Sequence, residues 1–178
     1  MRNFVGLKPQ DILLMMKLLS EPGLSQMDLS KKLQMSQAEV SHGLKRLKGS
    51  HLLNLEGRVI RESAIELLVH AVKYFYPAQL GAPSVGIPTA HANPDFKYVK
   101  NNEGESYVWS FAEGKVKGIS LIPIYPSLPY ACSEDKTLYR IASLVEMIRA
   151  GRARERKIAE DELQKLIKGL KEKVETFT

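Results

Sequence analysis

Two short amphipathic segments, each opened by a capping serine, constrain this fold more than any other feature of the sequence. They lie within LSQMDLSKKLQMSQAEVSHGLKRLKGSHLL, which spans residues 24–53. Ser25 can cap a first helix, and Ser36 with Glu39 forms the S-x-x-E pattern of a capping box that begins a second. The dipeptide Gln34-Met35 is then left as a tight turn between two helices.

The second helix is predicted to have one buried face and one exposed face, and to end at Gly49. Val40, Leu44 and Leu47 recur at helical spacing and form an apolar stripe. The remaining face carries side chains that can donate hydrogen bonds to base edges and phosphates: Gln37, Ser41, His42, Lys45 and Arg46. A simple solvated face is the alternative interpretation.

An extended segment with a turn follows this helix. Leu53-Asn54-Leu55 and Arg58-Val59-Ile60 can form two short strands around a Glu56-Gly57 turn. Arg58 would reach a phosphate or a minor groove, or remain solvated. Helix, turn, helix and hairpin follow one another as in a winged helix-turn-helix, which predicts binding to the major groove of double-stranded DNA.

The same stretch resembles the winged-helix regulators of the MarR type over about the first third of the chain. The matching residues are Leu29, Leu33, Ser36, Val40, Ser41, Leu44, Lys45, Arg46 and Leu47. The resemblance implies a DNA-binding regulator. If it is a homodimer, its two recognition helices would lie roughly 34 Å apart. Gly43 departs from the pattern, because glycine inside a helix costs about 1 kcal/mol relative to alanine.

Composition is compatible with this prediction. The net charge is +6 and the isoelectric point is about 9.3, which permits nucleic-acid binding. The positive charge is concentrated in residues 1–61 and 149–178, whereas the middle of the chain is slightly acidic. The single cysteine, Cys132, allows neither an intramolecular disulfide nor a cysteine metal cluster. We find no signal peptide and no membrane-length apolar run, so a cytoplasmic protein is expected.

Helices are also predicted on either side of this segment. Pro9 marks the start of a first helix, which Pro22-Gly23 ends. Ser63 and Glu66 form a second S-x-x-E pattern, which predicts a helix that runs up to Pro77. That helix would either help to build a dimer interface or simply pack the domain.

The middle of the chain is predicted to contain a loop and a hairpin. Residues 77–97 hold four prolines and two glycines, which favours an ordered loop in which His91 is a hydrogen-bonding surface group rather than a ligand. Residues 106–125 are predicted to form a β-hairpin with its turn at 112–115. Its return strand is expected to be buried on both faces. Trp109 is expected in the core, with a stacking platform for a base or ligand as the alternative.

The C-terminal region is predicted to form two helices. Ser133 would cap the first, which ends near Gly151, and an apolar stripe from Leu163 to Val174 marks the second. An arginine cluster falls at the junction, where cations oppose the dipole of the second helix: Arg149, Arg152, Arg154 and Arg156. Intramolecular salt bridges are one interpretation, and a bound phosphate or acidic partner is the other.

The C-terminal half, from GAPSVGIPTAHA to LYRIASLVEMIRAGRARERKIAEDEL, is also similar to winged-helix proteins encoded beside nucleotidyltransferase-like toxins of the abortive-infection kind. That similarity implies an antitoxin-like regulator with a protein partner. No P-loop, G-x-G-x-x-G, H-E-x-x-H or G-x-S-x-G motif occurs, so neither an enzyme nor a cofactor is expected.

The sequence therefore predicts an α+β protein with two domains. Residues 1–76 would form a winged-helix DNA-binding domain. Residues 77–178 would form a C-terminal domain of proline-rich loop, β-hairpin and two helices. The predicted function is that of a sequence-specific transcriptional regulator, dimeric and not associated with a membrane. The alternative is an antitoxin-like or other protein-interaction module in which the winged helix is only structural.

Overall fold

The computed structural model describes residues 6–99 and 106–170, which form an α+β fold. Three helices come first, and they are α1 (Pro9–Ser20), α2 (Gln26–Leu33) and α3 (Gln37–Gly49). A longer helix, α4, spans residues 61–75 and is followed by the strands β1 (Leu80–Thr89), β2 (Tyr107–Ser110) and β3 (Val116–Leu121). The chain continues with the helices α5 (Leu128–Ser133), α6 (Lys136–Ala150) and α7 (Ala153–Gly169).

Helix α1 lies at the centre of the molecule. Every residue from Asp11 to Leu19 is buried, so the helix has no solvent-exposed stripe along this stretch. It packs against α3 and also against α6. One continuous hydrophobic core therefore extends from the first three helices to α6 and α7.

The predicted serine caps of α2 and α3 are confirmed. The Ser25 hydroxyl accepts a hydrogen bond from the Asp28 amide, and the Ser36 hydroxyl accepts one from the Glu39 amide, both at 3.1 Å. The second arm of the expected capping box is not used, because the Glu39 carboxylate accepts a hydrogen bond from Gln10 instead, at 3.0 Å. The backbone at Gln34 turns through the left-handed region (φ 50°), and this turn separates the two helices.

The segment after α3 forms a smaller hairpin than predicted. Leu53 and Val59 make a single antiparallel bridge, and the Asn54 amide donates to the Arg58 carbonyl at 2.9 Å. The turn begins at Asn54, whose carbonyl accepts from the Gly57 amide at 3.1 Å, and glycine suits the φ of +80° found there. We call residues 53–59 the basic loop, after Arg58.

Helix α4 begins three residues earlier than the Ser63–Glu66 pattern predicted. It is α-helical over Arg61–Ile65, π-helical over Glu66–Ala71, and α-helical again over Val72–Phe75. Ile60 stands at the N-terminal cap position and supplies no side-chain hydrogen bond. The predicted capping box therefore lies inside the helix and does not begin it.

The prediction of a loop at residues 77–97 is wrong over residues 80–89, which form β1, the longest of the three described strands. The prolines in this stretch favour a loop on local grounds. In the fold, the pairing of β1 with β3 is irregular between Leu80 and Pro83. Proline lacks an amide donor and is tolerated in a strand at such irregular positions, which accounts for Pro83, whereas Pro88 stands in regular register opposite Val108.

The strands expected at residues 106–125 exist, but they do not pair as an antiparallel hairpin. β1 pairs antiparallel with both, while β2 and β3 meet in parallel over two residue pairs, which closes the three strands on themselves. Gly86 stands opposite both Ser110 and Val116. A β-carbon at Gly86 would lie 1.8 Å from the Trp109 carbonyl oxygen, so this crossing requires a residue without one.

The burial predicted for this sheet is confirmed at Trp109 and is wrong for β3. Trp109 is fully buried, as expected of a core residue. The return strand β3 is not buried on both faces, since Val116 and Lys117 are exposed and only its end, at Ser120 and Leu121, is buried.

The C-terminal region contains three described helices where two were predicted, because α5 was not expected, and α6 begins at a different residue from the one predicted. Ser133 ends α5, where its hydroxyl donates to the Tyr130 carbonyl at 2.7 Å. Asp135 caps α6 instead, accepting from the Leu138 amide at 2.9 Å. The predicted break at Gly151 is confirmed, and Val174, the last member of the predicted stripe, lies outside the described residues.

A buried ion pair connects α1 to α6. Lys17, almost entirely buried, places its ammonium 2.7 Å from the Asp135 carboxylate and also pairs with Glu21. Ser20 donates a further hydrogen bond to Asp135 at 2.7 Å. Burial alone would raise the pKa of Asp135, but hydrogen bonds from Lys17, the Leu138 amide and Ser20 outweigh it and lower that pKa.

We expect Asp135→Asn to lower the free energy of unfolding by about 1–3 kcal/mol at pH 7. A carboxyl with a lowered pKa in the folded state stabilises fully above its unfolded value of about 3.9 and loses this effect as the pH falls further. Urea unfolding at a series of pH values should therefore show a difference from wild type that is constant near neutrality and shrinks below about pH 4. Glu134→Gln, at the exposed neighbouring position, is the control, and a difference independent of pH would contradict this role of Asp135.

Candidate nucleic-acid interface

Helix α3 divides into a buried face and an exposed face, as the sequence predicted. Val40, Gly43 and Leu47 are buried against the core. Side chains with hydrogen-bonding groups cover the exposed part of the helix, where Ser41 is half-buried and the others are exposed: Gln37, Ser41, His42, Lys45 and Lys48. Four of the five side chains expected to read DNA from this helix therefore lie on its accessible surface.

Arg46, the fifth predicted reading residue, is turned toward the core. Its Nε and Nη2 atoms each lie 2.7 Å from a carboxylate oxygen of Asp11, which is fully buried. Only 12% of the Arg46 side chain is exposed, and the hydrogen bonds to Asp11 raise its pKa. Two of the three guanidinium nitrogens are occupied within the fold and the side chain is mostly buried, so we exclude Arg46 from the candidate interface.

This ion pair also explains why a glycine occurs inside α3. A β-carbon added at Gly43 would lie 2.9 Å from the Asp11 carboxylate and 2.9 Å from a methyl group of Leu14. Gly43 therefore lets α3 approach α1 closely enough for Arg46 and Asp11 to meet. The helix propensity lost at this position is offset by that contact.

A groove of about 740 Å³ separates α3 from the basic loop and from the connection between α1 and α2. Its lining includes the apolar residues Leu18, Leu24, Leu29 and Leu44. The charged residues that line it are Lys45, Lys48, Arg58, Glu21 and Glu56. Arg58 is exposed, as predicted, and shares this groove with the basic end of α3.

Sequence reasoning did not single out Lys48. It follows Lys45 by one helical turn, and that spacing is the signal that would have placed it beside the predicted reading residues. Its ammonium lies 3.5 Å from the Leu55 carbonyl in the basic loop. Lys48 thus connects the end of α3 to the loop that faces it.

The four arginines expected to form an anion or partner site have different environments. Arg149 is buried and pairs with the fully buried Glu146 at 2.5 Å, while its Nε donates to the Tyr76 carbonyl at 2.7 Å. Arg156 is half-buried and donates to the Gly151 carbonyl at 3.3 Å. Arg152 and Arg154 are exposed. Arg149 therefore has a structural role, joining the end of α4 to α6.

His91 does not behave as the predicted surface group. It is buried with its ring edge against Tyr107, the two ring centroids being 4.8 Å apart, and neither ring nitrogen has a hydrogen-bond partner within residues 6–99 and 106–170. Cys132 is buried as well, and burial raises the pKa of its thiol well above the usual value. A thiol in that state is a poor nucleophile at neutral pH.

Neither a metal-binding cluster nor a membrane-spanning helix occurs in the described part of the chain. No group of three or more His, Cys, Asp or Glu side chains there is placed to hold a metal ion. No described helix is long and apolar enough to cross a bilayer.

Comparison with protein-family models, curated proteins and solved structures finds no match to this chain.

We expect Arg46→Ala to lower the free energy of unfolding by about 3–5 kcal/mol, because it leaves the Asp11 carboxylate buried without its cation. Lys45→Ala, one residue earlier on the exposed face, should change it by less than about 0.5 kcal/mol. Urea denaturation followed by circular dichroism measures both. Equal stabilities for the two variants would contradict a structural role for Arg46.

Gly43→Ala should destabilise the protein by about 1–3 kcal/mol, although alanine is the better helix former, because the new methyl group overpacks the contact with Asp11 and Leu14. Gly49→Ala is the matched control, since no atom lies within 4 Å of its added β-carbon. The control should be as stable as wild type or slightly more so. A Gly43→Ala variant at least as stable as wild type would disprove the close approach.

Proposed function

We propose that this chain is a cytoplasmic, sequence-specific DNA-binding transcriptional regulator in which residues 24–60 act as a winged helix-turn-helix. One observation carries the proposal: α3 buries an apolar face and exposes a polar, basic face next to a basic loop. A helix that presents donors in this way fits the major groove of B-DNA, which is about 12 Å wide. The basic loop takes the place of the wing.

The side chains of α3 suit direct reading of bases. Gln37 carries the amide that pairs with adenine through two hydrogen bonds, and Lys45 can donate to the two acceptors of guanine. Ser41 and His42 lie between them along the helix and can reach bases or phosphates. Sequence preference would arise from these four positions.

Lys48 and Arg58 suit phosphate contacts, which add affinity without sequence preference. Both line the groove between α3 and the basic loop. Of the acidic residues in this groove, Glu21 is paired with Lys17 and Lys32. The negative charge of Glu21 is thereby largely offset by its own neighbours.

The C-terminal half of the chain contacts the helices proposed to bind DNA. The Ser127 hydroxyl donates to the Leu33 carbonyl, at the end of α2, at 2.6 Å. The Tyr125 hydroxyl donates to Glu39, in the first turn of α3, at 3.5 Å. These contacts support a regulator in which the C-terminal half influences how α3 is presented to DNA.

A protein-interaction module with a purely structural winged helix is the second candidate. It is favoured by exposed apolar side chains on and beside the small sheet: Leu80, Val85, Val116 and Ile122. An antitoxin-like role would belong to this class. Under this alternative, binding of the partner protein would survive the loss of Lys45 and Arg58.

The DNA-binding proposal is tested with a double variant of the full chain that combines Lys45→Ala with Arg58→Ala. Fluorescence anisotropy with the DNA upstream of the protein's own gene, and with a scrambled duplex, would be measured across a salt series. Each cation that contacts a phosphate contributes about 0.9 to the slope of log K against log salt. The double variant should therefore bind more weakly, because it loses the base contact of Lys45, and its slope should be shallower by about 0.9, because it loses the phosphate contact of Arg58. Lys115→Ala, an exposed lysine outside the candidate interface, should bind as wild type does.

Gln37→Ala should reduce the preference for the upstream DNA over the scramble by about 1–3 kcal/mol, because a bidentate contact distinguishes bases. Affinity for the scramble should hardly change. Equal binding of both duplexes by the wild-type protein, or unchanged binding by the double lysine–arginine variant, would overturn the proposal.

A further inference from the structure

The segment between β3 and α5, residues 122–127, reaches back to the first three helices of the chain. Its two prolines, Pro123 and Pro126, each fix one backbone dihedral angle and leave the segment few conformations. Ile124 within the segment and Leu128 directly after it belong to the hydrophobic core. We call residues 122–127 the proline segment. Its position is therefore determined by the C-terminal half of the chain.

Ser127, at the end of the proline segment, binds the turn that precedes α3. Its hydroxyl donates to the Leu33 carbonyl at 2.6 Å, which joins residues 94 positions apart in the chain. Leu33 is the last residue of α2, and the carbonyls in the last turn of a helix have no partner within that helix. The contact thus fixes the point at which the chain leaves α2 and enters the turn at Gln34.

Tyr125 reaches the first turn of α3 itself. Its hydroxyl lies 3.5 Å from one carboxylate oxygen of Glu39, whose other oxygen accepts a hydrogen bond from Gln10 of α1 at 3.0 Å. Burial and the charge of Glu39 raise the pKa of the Tyr125 hydroxyl, so it stays protonated and able to donate at neutral pH. Glu39 is thereby held between α1 and the proline segment, and it lies two positions after Gln37.

We propose that Tyr125 and Ser127 are positioning residues for DNA recognition, which fix the start of α3, and through it the Gln37 side chain, without touching DNA themselves. The inference rests on the proposed function, in which Gln37 distinguishes bases. A recognition contact has to be held to within about 0.5 Å of its productive geometry. A small rotation of the first turn of α3 is therefore enough to remove the base preference of Gln37.

The far end of α3 has a separate support. Arg46 is paired there with Asp11 of α1, and Lys48 is hydrogen-bonded to the basic loop. Lys45 lies next to Arg46 and about two helical turns after Gln37. Loosening the start of α3 should therefore remove the base preference of Gln37 and leave the contacts at the far end of the helix in place.

Hydrogen exchange of backbone amides in the full chain, without DNA, tests how firmly the start of α3 is held. The double variant that combines Tyr125→Phe with Ser127→Ala removes both hydroxyls of the proline segment. Exchange should then become roughly tenfold faster at the amides of Met35 and Val40, which donate hydrogen bonds in the turn and in the first turn of α3. Amides in the middle of α6 should exchange as in wild type, which separates this local change from a general loss of stability.

The matched control combines Tyr130→Phe with Ser133→Ala. Both residues lie in α5, where the Ser133 hydroxyl donates to the Tyr130 carbonyl of the same helix. In the control, the amides of Met35 and Val40 should exchange as in wild type. Wild-type exchange at these two amides in the variant of the proline segment overturns the inference.

DNA binding by the same double variant tests the consequence for recognition. Its preference for the upstream DNA over the scrambled duplex should fall about fivefold or more, because the bidentate contact of Gln37 is lost. The salt dependence should stay unchanged, since the cations that contact phosphates lie elsewhere. Added to Gln37→Ala, the double variant should cause no further loss of preference, because changes that act through one contact are not additive. Ser127→Thr keeps the hydroxyl and should retain the preference of wild type.

Two kinds of failure are distinguishable in this experiment. Equal binding of both duplexes by the wild-type chain overturns the proposed function, and the role of the two hydroxyls in DNA recognition with it, whatever the exchange rates are. A preference that the double variant retains, or a further loss when it is added to Gln37→Ala, overturns the positioning role alone and leaves the proposed function standing.

Discussion

Two charged side chains on the buried stretch of α1 require oppositely charged partners from the elements that pack against this helix. Asp11 and Lys17 lie one on each half of α1, and a buried charge without a partner costs several kcal/mol. Arg46 on α3 compensates the first, and Asp135 at the start of α6 compensates the second. The exposed face of α3 is therefore oriented by the same helix that joins the two halves of the chain.

Local signals predicted the first three helices well, because the information they need lies within a few residues. The hydroxyls of Ser25 and Ser36 satisfy amides three positions away, and the apolar spacing of α3 reports which side is buried. The break at Gly151 is a local signal of the same kind. Four of the five predicted reading residues on α3 were found on its exposed face for this reason.

Local sequence patterns do not predict contacts between distant parts of the chain. Arg46 lies at the border of the exposed face, and nothing near it in sequence shows that Asp11, thirty-five residues earlier, will take its guanidinium. Ser133 and Asp135 are both good capping residues, and tertiary hydrogen bonds from Lys17 and Ser20 favour the second. The strand β1 was missed because its pairing with β2 and β3 overrides the local preferences of its prolines.

The position of α1 between α3 and α6 has a consequence for the modularity of the chain. A fragment cut after α4 would keep the first three helices, but it would expose the side of α1 that α6 covers and leave Lys17 without Asp135. Such a fragment would expose an apolar surface, and Glu21 would be the remaining partner of the two that pair with the Lys17 ammonium. The α1–α3 unit could therefore be moved unchanged onto another protein only if that protein supplied an apolar helix in place of α6 and a carboxylate in place of Asp135.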